Sequence, residues 1–297
     1  MLNLLRAIGI NNNFKKKRMK CHLLVRKNFV IFLLIVCSYG NLVAQGDGVS
    51  TEELAKQLAN PVASLISLPF QNNFDFSVGP NEGFRYNLNV QPVIPFSIGK
   101  DWNLISRTIV PFIDQKDVVF DGSSNSGLGD ITQSLFFSPK EATSSGLVWG
   151  VGPVLLLPTA TEDAFKSNTW AAGPNAVILK ISGPYTFGGL VNHLWSYAGD
   201  GEELSVSFMQ PFFTYATPNG ASYTIASENT QSWENEIFGG VVGFYYAKVT
   251  KFGKQLVQLG GGPKVYYGNN TFNPDFGFRF NLVLLFPKRP KVENEAQ

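Results

Sequence analysis

Hydrophobic and polar residues alternate along unusually long stretches of this chain. Across residues 84–98, aromatic and aliphatic side chains share one face of a strand and Arg85 lies on the other, because successive strand side chains point to opposite sides. Residues 276–286 repeat the pattern, with Arg279 and Asn281 on the polar face. Globular strands usually have about five or six residues, whereas a tilted membrane-spanning strand needs roughly nine to eleven. The pattern therefore predicts a transmembrane β-barrel.

Twelve segments of this kind are separated by turn signals. They cover residues 64–79, 83–98, 102–114, 129–139, 146–158, 173–183, 185–198, 204–216, 221–231, 237–250, 255–268 and 275–287. Tight turns alternate with longer polar connections, as periplasmic turns and outer loops do in such barrels. The fold prediction is an all-β, antiparallel transmembrane barrel of about 12 strands over residues 63–288. A soluble β-sandwich is the alternative, although it would not need so many aromatic residues on its exposed face.

Prolines lie near the centres of several predicted strands. A proline lacks the backbone N–H of the ladder, so each predicts a bulge or a kink. They are Pro92, Pro111, Pro153, Pro211 and Pro263.

The first 44 residues have the composition of a secretory signal peptide. They contain eight basic residues and no acidic residue, then the apolar run Phe29–Val36 and a small-residue site that ends at Ala44. Met19 is an alternative start. Both cysteines lie in this leader, so the mature chain has none for a disulfide or a metal site. We expect no cofactor and no metal.

Removal of the leader changes the charge of the chain. The mature part keeps 16 basic and 22 acidic side chains, a net charge of −6, although the whole chain carries +2. The charge gives no reason to expect nucleic acid as a partner.

Two short segments flank the predicted barrel. In residues 45–62, Ser50 stands three residues ahead of Glu53, which is the capping-box spacing, and Leu54 and Leu58 form an apolar stripe. This predicts a periplasmic N-terminal segment with a short helix that ends at Asn60. Residues 289–297 are expected to form a periplasmic tail.

Several short motifs, in their order along the chain, resemble one known family. They are Asn60-Pro61-Val62-Ala63, Pro69-Phe70-Gln71-Asn72-Asn73, Gly127-Leu128-Gly129-Asp130, Trp149-Gly150-Val151-Gly152-Pro153, Leu156-Leu157-Pro158-Thr159-Ala160-Thr161, Asn192-His193-Leu194-Trp195-Ser196, Gln210-Pro211-Phe212, Gly277-Phe278-Arg279-Phe280 and Leu284-Leu285-Phe286-Pro287-Lys288. The chain resembles the Gram-negative outer-membrane β-barrel family of phenol-degradation meta-pathway proteins, also called transporters or, by a misnomer, neuromedin U. The resemblance implies a barrel for the passage of small solutes such as aromatic or apolar compounds.

Strand phase assigns seven charged side chains to the interior of the barrel. These lumen and constriction candidates are Asp75, Arg85, Arg107, Lys180, Glu228, Lys264 and Arg279. Asp75 and Arg85 lie on neighbouring strands, and Arg279 lies at a similar depth on the last strand, which pairs with the first if the barrel closes. We therefore predict a cluster of these three residues that braces the closing seam or narrows the pore.

Three classes of function are compatible with such a barrel. The first, which we expect, is an outer-membrane channel or transporter for small solutes, with outer-membrane lipid, lipopolysaccharide and the barrel-assembly machinery as its other partners. The second is a structural or surface-interaction barrel with a filled lumen. The third is a hydrolase built on His193, the only histidine after the leader, but the nearby Ser196 falls on the opposite strand face. We expect no enzymatic activity.

Overall fold

The computed structural model of the chain describes residues 50–287. Within them lie one helix, α1 (Thr51–Leu58), one 3-10 turn (Asp163–Phe165) and fourteen strands. The strands are β1 (Ile66–Val78), β2 (Gly83–Val90), β3 (Val93–Ile98), β4 (Trp102–Lys116), β5 (Ser124–Leu128), β6 (Ile131–Pro139), β7 (Leu147–Leu157), β8 (Thr169–Ser182), β9 (Tyr185–Gly199), β10 (Ser205–Ala216), β11 (Ala221–Ser232), β12 (Ile237–Phe252), β13 (Gln255–Gly268) and β14 (Phe276–Phe286). The predicted signal peptide, the alternative start at Met19 and the predicted tail 289–297 lie outside the described residues.

The strands pair antiparallel, and the sheet closes on itself. β1 pairs with β14 from Ile66 opposite Phe286 to Phe76 opposite Phe276. Twelve strands form the closed barrel, which confirms the predicted fold and shows that the sandwich alternative is wrong. Closure pairs every strand with two neighbours and so removes free edges, as a spanning sheet requires in lipid.

The two remaining strands, β3 and β5, continue barrel strands beyond a break. β3 follows β2 after residues 91–92 and pairs with the same strand, β4. β5 precedes β6 and also pairs with β4, in a stretch that the sequence had suggested as loop. The single predicted strand over residues 83–98 is therefore interrupted, because Pro92 has no N–H to donate to the ladder.

The other central prolines differ in their effect on the register. Opposite Pro111 the paired segment holds one extra residue between the pair of Ile109 with Thr132 and the pair of Phe112 with Leu128, as a bulge does. Beside Pro153, Pro211 and Pro263 the pairing with one neighbouring strand is interrupted and then resumes in the same register. These three prolines therefore remove a ladder bond without adding a residue, and a kink is what remains of the prediction there.

Large apolar side chains cover the outside of the barrel. On β14, Phe276, Phe278 and Phe280 are 52%, 45% and 42% exposed, while the alternate residues Gly277 and Arg279 are buried in the interior. A folded chain leaves a continuous apolar outer surface of this kind where it contacts lipid.

Helix α1 packs inside one end of the barrel. The Ser50 hydroxyl accepts a hydrogen bond from the Glu53 N–H at 3.1 Å and so caps the helix, as predicted. Leu54 and Ala55 are fully buried against inward-facing side chains at the end where β1 begins and β14 ends, and Leu58 packs beside them. The wall residues of this cluster are Ala216, Val249, Leu256, Val283 and Leu285. Among residues 50–287, no helix has the length and apolar character needed to cross a membrane.

A second apolar cluster lies on the inner wall beside the N-terminal segment. Val62 packs there against wall residues, which are Ile105, Phe136, Val148, Val177, Leu179 and Leu190. Because Val177 and Leu179 point inward, Lys180 points outward in the same alternation as the exposed Ile178. The assignment of Lys180 to the lumen is therefore wrong: its strand is apolar on the inner face at this level.

Candidate solute pathway in the barrel lumen

Inward-facing polar side chains meet in the lumen where the sheet closes. On β1, the Asp75 carboxylate forms an ion pair with the Lys264 ammonium at 2.8 Å and accepts a hydrogen bond from the Tyr266 hydroxyl at 2.6 Å. Lys264 also donates to the Tyr266 oxygen at 2.7 Å. Lys264 is only 3% exposed, so the pairing with Asp75 offsets the cost of burying its charge.

A missing side chain lets this ion pair form. Gly277 on β14 lies directly between the two residues in the sheet, opposite Asp75 on one side and Lys264 on the other. A Cβ atom at Gly277 would come within 2.6 Å of Asp75 Oδ1 and 2.9 Å of Lys264 Cε. The carboxylate and the ammonium therefore meet over the glycine, two strands apart.

A second ion pair crosses the lumen from the same seam. Arg279 on β14 donates to both carboxylate oxygens of Glu228 on β11, at 2.6 and 3.1 Å, and its guanidinium lies 5.2 Å from the centre of the Tyr245 ring. Asn73 connects the two pairs, since its Oδ1 accepts from Arg279 Nε at 2.8 Å and from Lys264 Nζ at 3.0 Å. Bidentate pairs of this kind fix geometry as well as charge.

The remaining two lumen cations bond to neutral amides. Arg85, which lies directly opposite Asp75 on β2, donates through Nε to Gln115 Oε1 at 3.1 Å. Arg107 on β4 donates to Gln91 Oε1 at 2.9 Å, and its charge is near enough to Glu228 for the two to attract each other.

The predicted cluster of Asp75, Arg85 and Arg279 is thus only partly what the structure contains. The three residues lie at the seam, but Asp75 pairs with Lys264, and Arg279 pairs with Glu228. We name the inward-facing residues at this level the lumen network; it comprises Asn73, Asp75, Arg85, Arg107, Glu228, Tyr245, Lys264, Tyr266 and Arg279. It places four basic and two acidic side chains in the interior.

Two tyrosines of the lumen network were missed by sequence reasoning. Tyr245 is not among the seven charged lumen candidates, yet its ring faces Arg279 in the interior. A usable signal was present for Tyr266, because it lies two residues after Lys264 and so shares its strand face.

A cavity of about 280 Å³ separates the lumen network from α1. Its polar lining includes Gln71, Gln91, Arg107, Gln210, Tyr245, Arg279 and Asn281. Its apolar lining includes Leu58, Ala63, Leu65 and Val283, which cluster beside α1, and also Val93 and Phe212. From one end of the lumen inward there follow a helix, then a small amphipathic chamber, and then a charged constriction.

A separate polar group lies on the outer face of the barrel. His193 Nδ1 is 2.7 Å from Ser207 Oγ, and Nε2 is 3.3 Å from Ser205 Oγ. The Trp233 indole N–H donates to Ser207 Oγ at 2.8 Å. Ser196 is not part of this group; its hydroxyl accepts from the Leu204 N–H.

Among residues 50–287, no three His, Cys, Asp or Glu side chains are placed to hold a metal ion.

Known structures with the same architecture are outer-membrane barrels. An outer-membrane channel from Pseudomonas putida F1 is similar with a TM-score of 0.59 and 16% identity, over 76% of this chain and 96% of that one. The outer-membrane phospholipase of Salmonella typhi gives 0.44 and 12%, over 81% and 99%, and the toluene transporter TodX of Pseudomonas putida gives 0.34 and 10%, over 80% and 91%. No family model and no curated protein matches the sequence. At 16% identity, the likeness to the Pseudomonas putida F1 channel shows the β-barrel fold alone.

Proposed function

We propose that this protein is an outer-membrane channel for small solutes. The observation that carries the proposal is the chamber of about 280 Å³ inside a closed, lipid-compatible barrel, with a charged constriction on one side and a short helix on the other. A barrel whose only purpose was structural would gain nothing from four lumen cations, two of them buried, and a cavity, since unfilled polar space costs stability. The solute passes through the lumen network, and α1 has to move for the path to open.

Conductance and solute permeation test this proposal. Purified protein is inserted into planar bilayers and into liposomes, and swelling is followed with a panel of neutral sugars, phenol, toluene and small organic anions. We expect discrete conductance steps and permeation restricted to the smallest solutes. A barrel that folds in both systems but never conducts or admits any of them would favour the alternative of a structural barrel with a filled lumen.

We further propose that the chain belongs to the phenol-degradation meta-pathway family. The ordered motifs along the whole mature chain support this assignment. It implies a leader cleaved after Ala44 and a barrel that the barrel-assembly machinery inserts among outer-membrane lipid and lipopolysaccharide. Selective permeation of phenol over sugars of similar size in the swelling assay is the expected result. N-terminal sequencing of outer-membrane material should give Gln45.

One observation favours a second function, acyl-ester hydrolysis at the outer face. Ser207 and His193 are within hydrogen-bonding distance near the end of the barrel that carries the longer loops, beside the exposed Trp195 and Met209. In such a reaction Ser207 Oγ attacks the acyl carbon, His193 takes its proton and gives it to the leaving alcohol, and water releases the acyl group. Labelling by a fluorophosphonate that is lost in Ser207→Ala and kept in Ser196→Ala would support it; an unlabelled wild type would exclude it.

A further inference from the structure

Two lumen cations, Arg85 and Arg107, have unused hydrogen-bonding capacity, and of the two Arg107 lines the chamber. Lys264 and Arg279 are held by carboxylates at 2.8 and 2.6 Å. Arg107 has one hydrogen bond among residues 50–287, from a single terminal nitrogen to Gln91 Oε1. A guanidinium carries five N–H donors in a planar fork that fits a carboxylate.

The surroundings of Arg107 hold it in place. Gln91 is buried, and its amide nitrogen donates to Gln71 Oε1 at 3.3 Å, which turns Gln91 Oε1 toward Arg107. Asn89 donates to the same Gln71 oxygen at 3.2 Å. This chain of amides orients the guanidinium without neutralising it, so its charge stays available to the chamber that it lines.

The chamber sets the size and the shape of what Arg107 can bind. Its volume of about 280 Å³ is at the lower end of the range for ligand pockets, which is roughly 300–1,000 Å³. Leu58, Leu65 and Val283 line the chamber beside α1. A suitable ligand is therefore compact, with one polar end and one apolar body.

The charge nearby selects a monoanion. Arg107, Arg85, Lys264 and Arg279 exceed the two lumen carboxylates by two charges, which favours an anion in this space. Glu228, however, is held by Arg279 at the border of the chamber, and it would repel a doubly charged group such as a phosphate monoester more strongly than a carboxylate.

We propose that the chamber is a binding site for small organic monocarboxylates, with Arg107 receiving the carboxylate and the apolar wall beside α1 receiving the carbon skeleton. The inference deepens the proposed channel function, since it names the class of solute that pauses in the lumen. Arg279 and Tyr245 border the same space.

Benzoate is the probe, because it combines one carboxylate with a compact apolar ring. Its binding to the full-length protein in detergent is measured by calorimetry, beside benzamide, which has the same shape and no charge. We expect benzoate to bind more tightly than benzamide and Arg107→Gln to weaken benzoate binding roughly tenfold or more, because a bidentate, charge-assisted contact is lost. Lys180→Gln, which removes a cation from the outer face, should leave it unchanged.

Several outcomes would overturn the proposal. They are the absence of benzoate binding to the wild type, equal binding of benzamide, or equal benzoate affinity in Arg107→Gln and Lys180→Gln. If Arg107→Gln does not give the heat-modifiable folded band, Arg107→Lys serves instead; it keeps the charge but loses the fork, and we expect a partial loss. Swelling with neutral sugars is measured on the same preparations. Sugar permeation without benzoate binding refutes only this site, whereas benzoate binding without any permeation refutes the channel.

Discussion

Gly277 is the residue on which the seam of the barrel depends most directly. Its missing side chain leaves the space in which Asp75 and Lys264 meet, and it stands opposite both in the sheet. Asn73 then couples that ion pair to the pair between Arg279 and Glu228. A partly buried ion network tolerates little change, because a charge left without its partner costs several kcal/mol.

Gly277→Ala should therefore separate Asp75 from Lys264. The added methyl would come 2.6 Å from Asp75 Oδ1, and accommodating it costs about 1–3 kcal/mol through overpacking and a longer ion pair. Urea titration of the folded, heat-modifiable band measures the effect. Gly99→Ala is not a matched control because Gly99 has a positive φ, so Gly189→Ala, where the nearest neighbouring atom lies 3.5 Å away, is used. Equal stability losses in the two variants would contradict the role given to Gly277.

Asp75→Ala should shift the selectivity of the channel toward anions. Removal of the carboxylate leaves Lys264 as an unbalanced cation in the constriction, and charged side chains in a pore act on permeating ions at close range. Reversal potentials in a salt gradient measure the shift. The double variant Asp75→Ala with Lys264→Met removes both charges and should return the potential toward the wild-type value. An unchanged potential in the single variant would show that the pair does not face the ion path.

At the scale of single elements, strand β14 separates the lipid-facing and lumen-facing environments residue by residue. Phe280 is exposed outside, and Asn281 lines the inner chamber. A lipid-facing arginine near the bilayer midplane costs roughly 2–4 kcal/mol, while one in the lumen stays hydrated. Phe280→Arg should reduce the folded band after refolding into liposomes much more than Asn281→Arg does. Equal losses would mean that the assigned phase of β14 is wrong.

Helix α1 is held by few apolar contacts, so one substitution should release it. Leu54→Asp places a charge in the fully buried cluster with Val283 and Leu285. Burying an unpaired carboxylate is unfavourable enough that the helix should leave the wall. Amide hydrogen exchange of residues 51–58 should become fast while β14 stays protected. Glu53→Gln, on the exposed side of the helix, should leave the exchange slow; slow exchange in both variants would show that α1 is anchored in another way.

The elements themselves could be predicted because period-two alternation is a local property. β1 was expected over residues 64–79 and runs from Ile66 to Val78. The inner wall near α1 could not be predicted in the same way: Val177 and Leu179 point inward because Val62 covers them, and that contact joins residues far apart in sequence. The same limit applies to the ion pairs, since Asp75 reaches Lys264 across a strand whose glycine leaves space.

On the scale of the whole molecule, the lumen contains two obstacles in series. α1 and the inner-wall cluster close the end at which β1 begins, and the lumen network with its ion pairs spans the interior beyond the chamber. The closed sheet of twelve strands surrounds both, so a solute that crosses the lumen meets each of them in turn. Because the two obstacles lie in series and each limits the current by itself, removal of one leaves the current limited by the other.

This arrangement predicts that opening one obstacle has little effect while the other remains. Leu54→Asp alone frees the helix end but leaves the constriction, and the joint change of Glu228→Ser with Arg279→Ser removes an ion pair but leaves the helix. Each of these changes should raise the conductance in planar bilayers only slightly, because the other obstacle still blocks the path. Glu228 and Arg279 are replaced together so that neither is left as a lone buried ion. The triple variant should conduct far better than either of them. If Leu54→Asp alone conducted as well as the triple variant, α1 would be the sole barrier and the lumen network would not limit the flow.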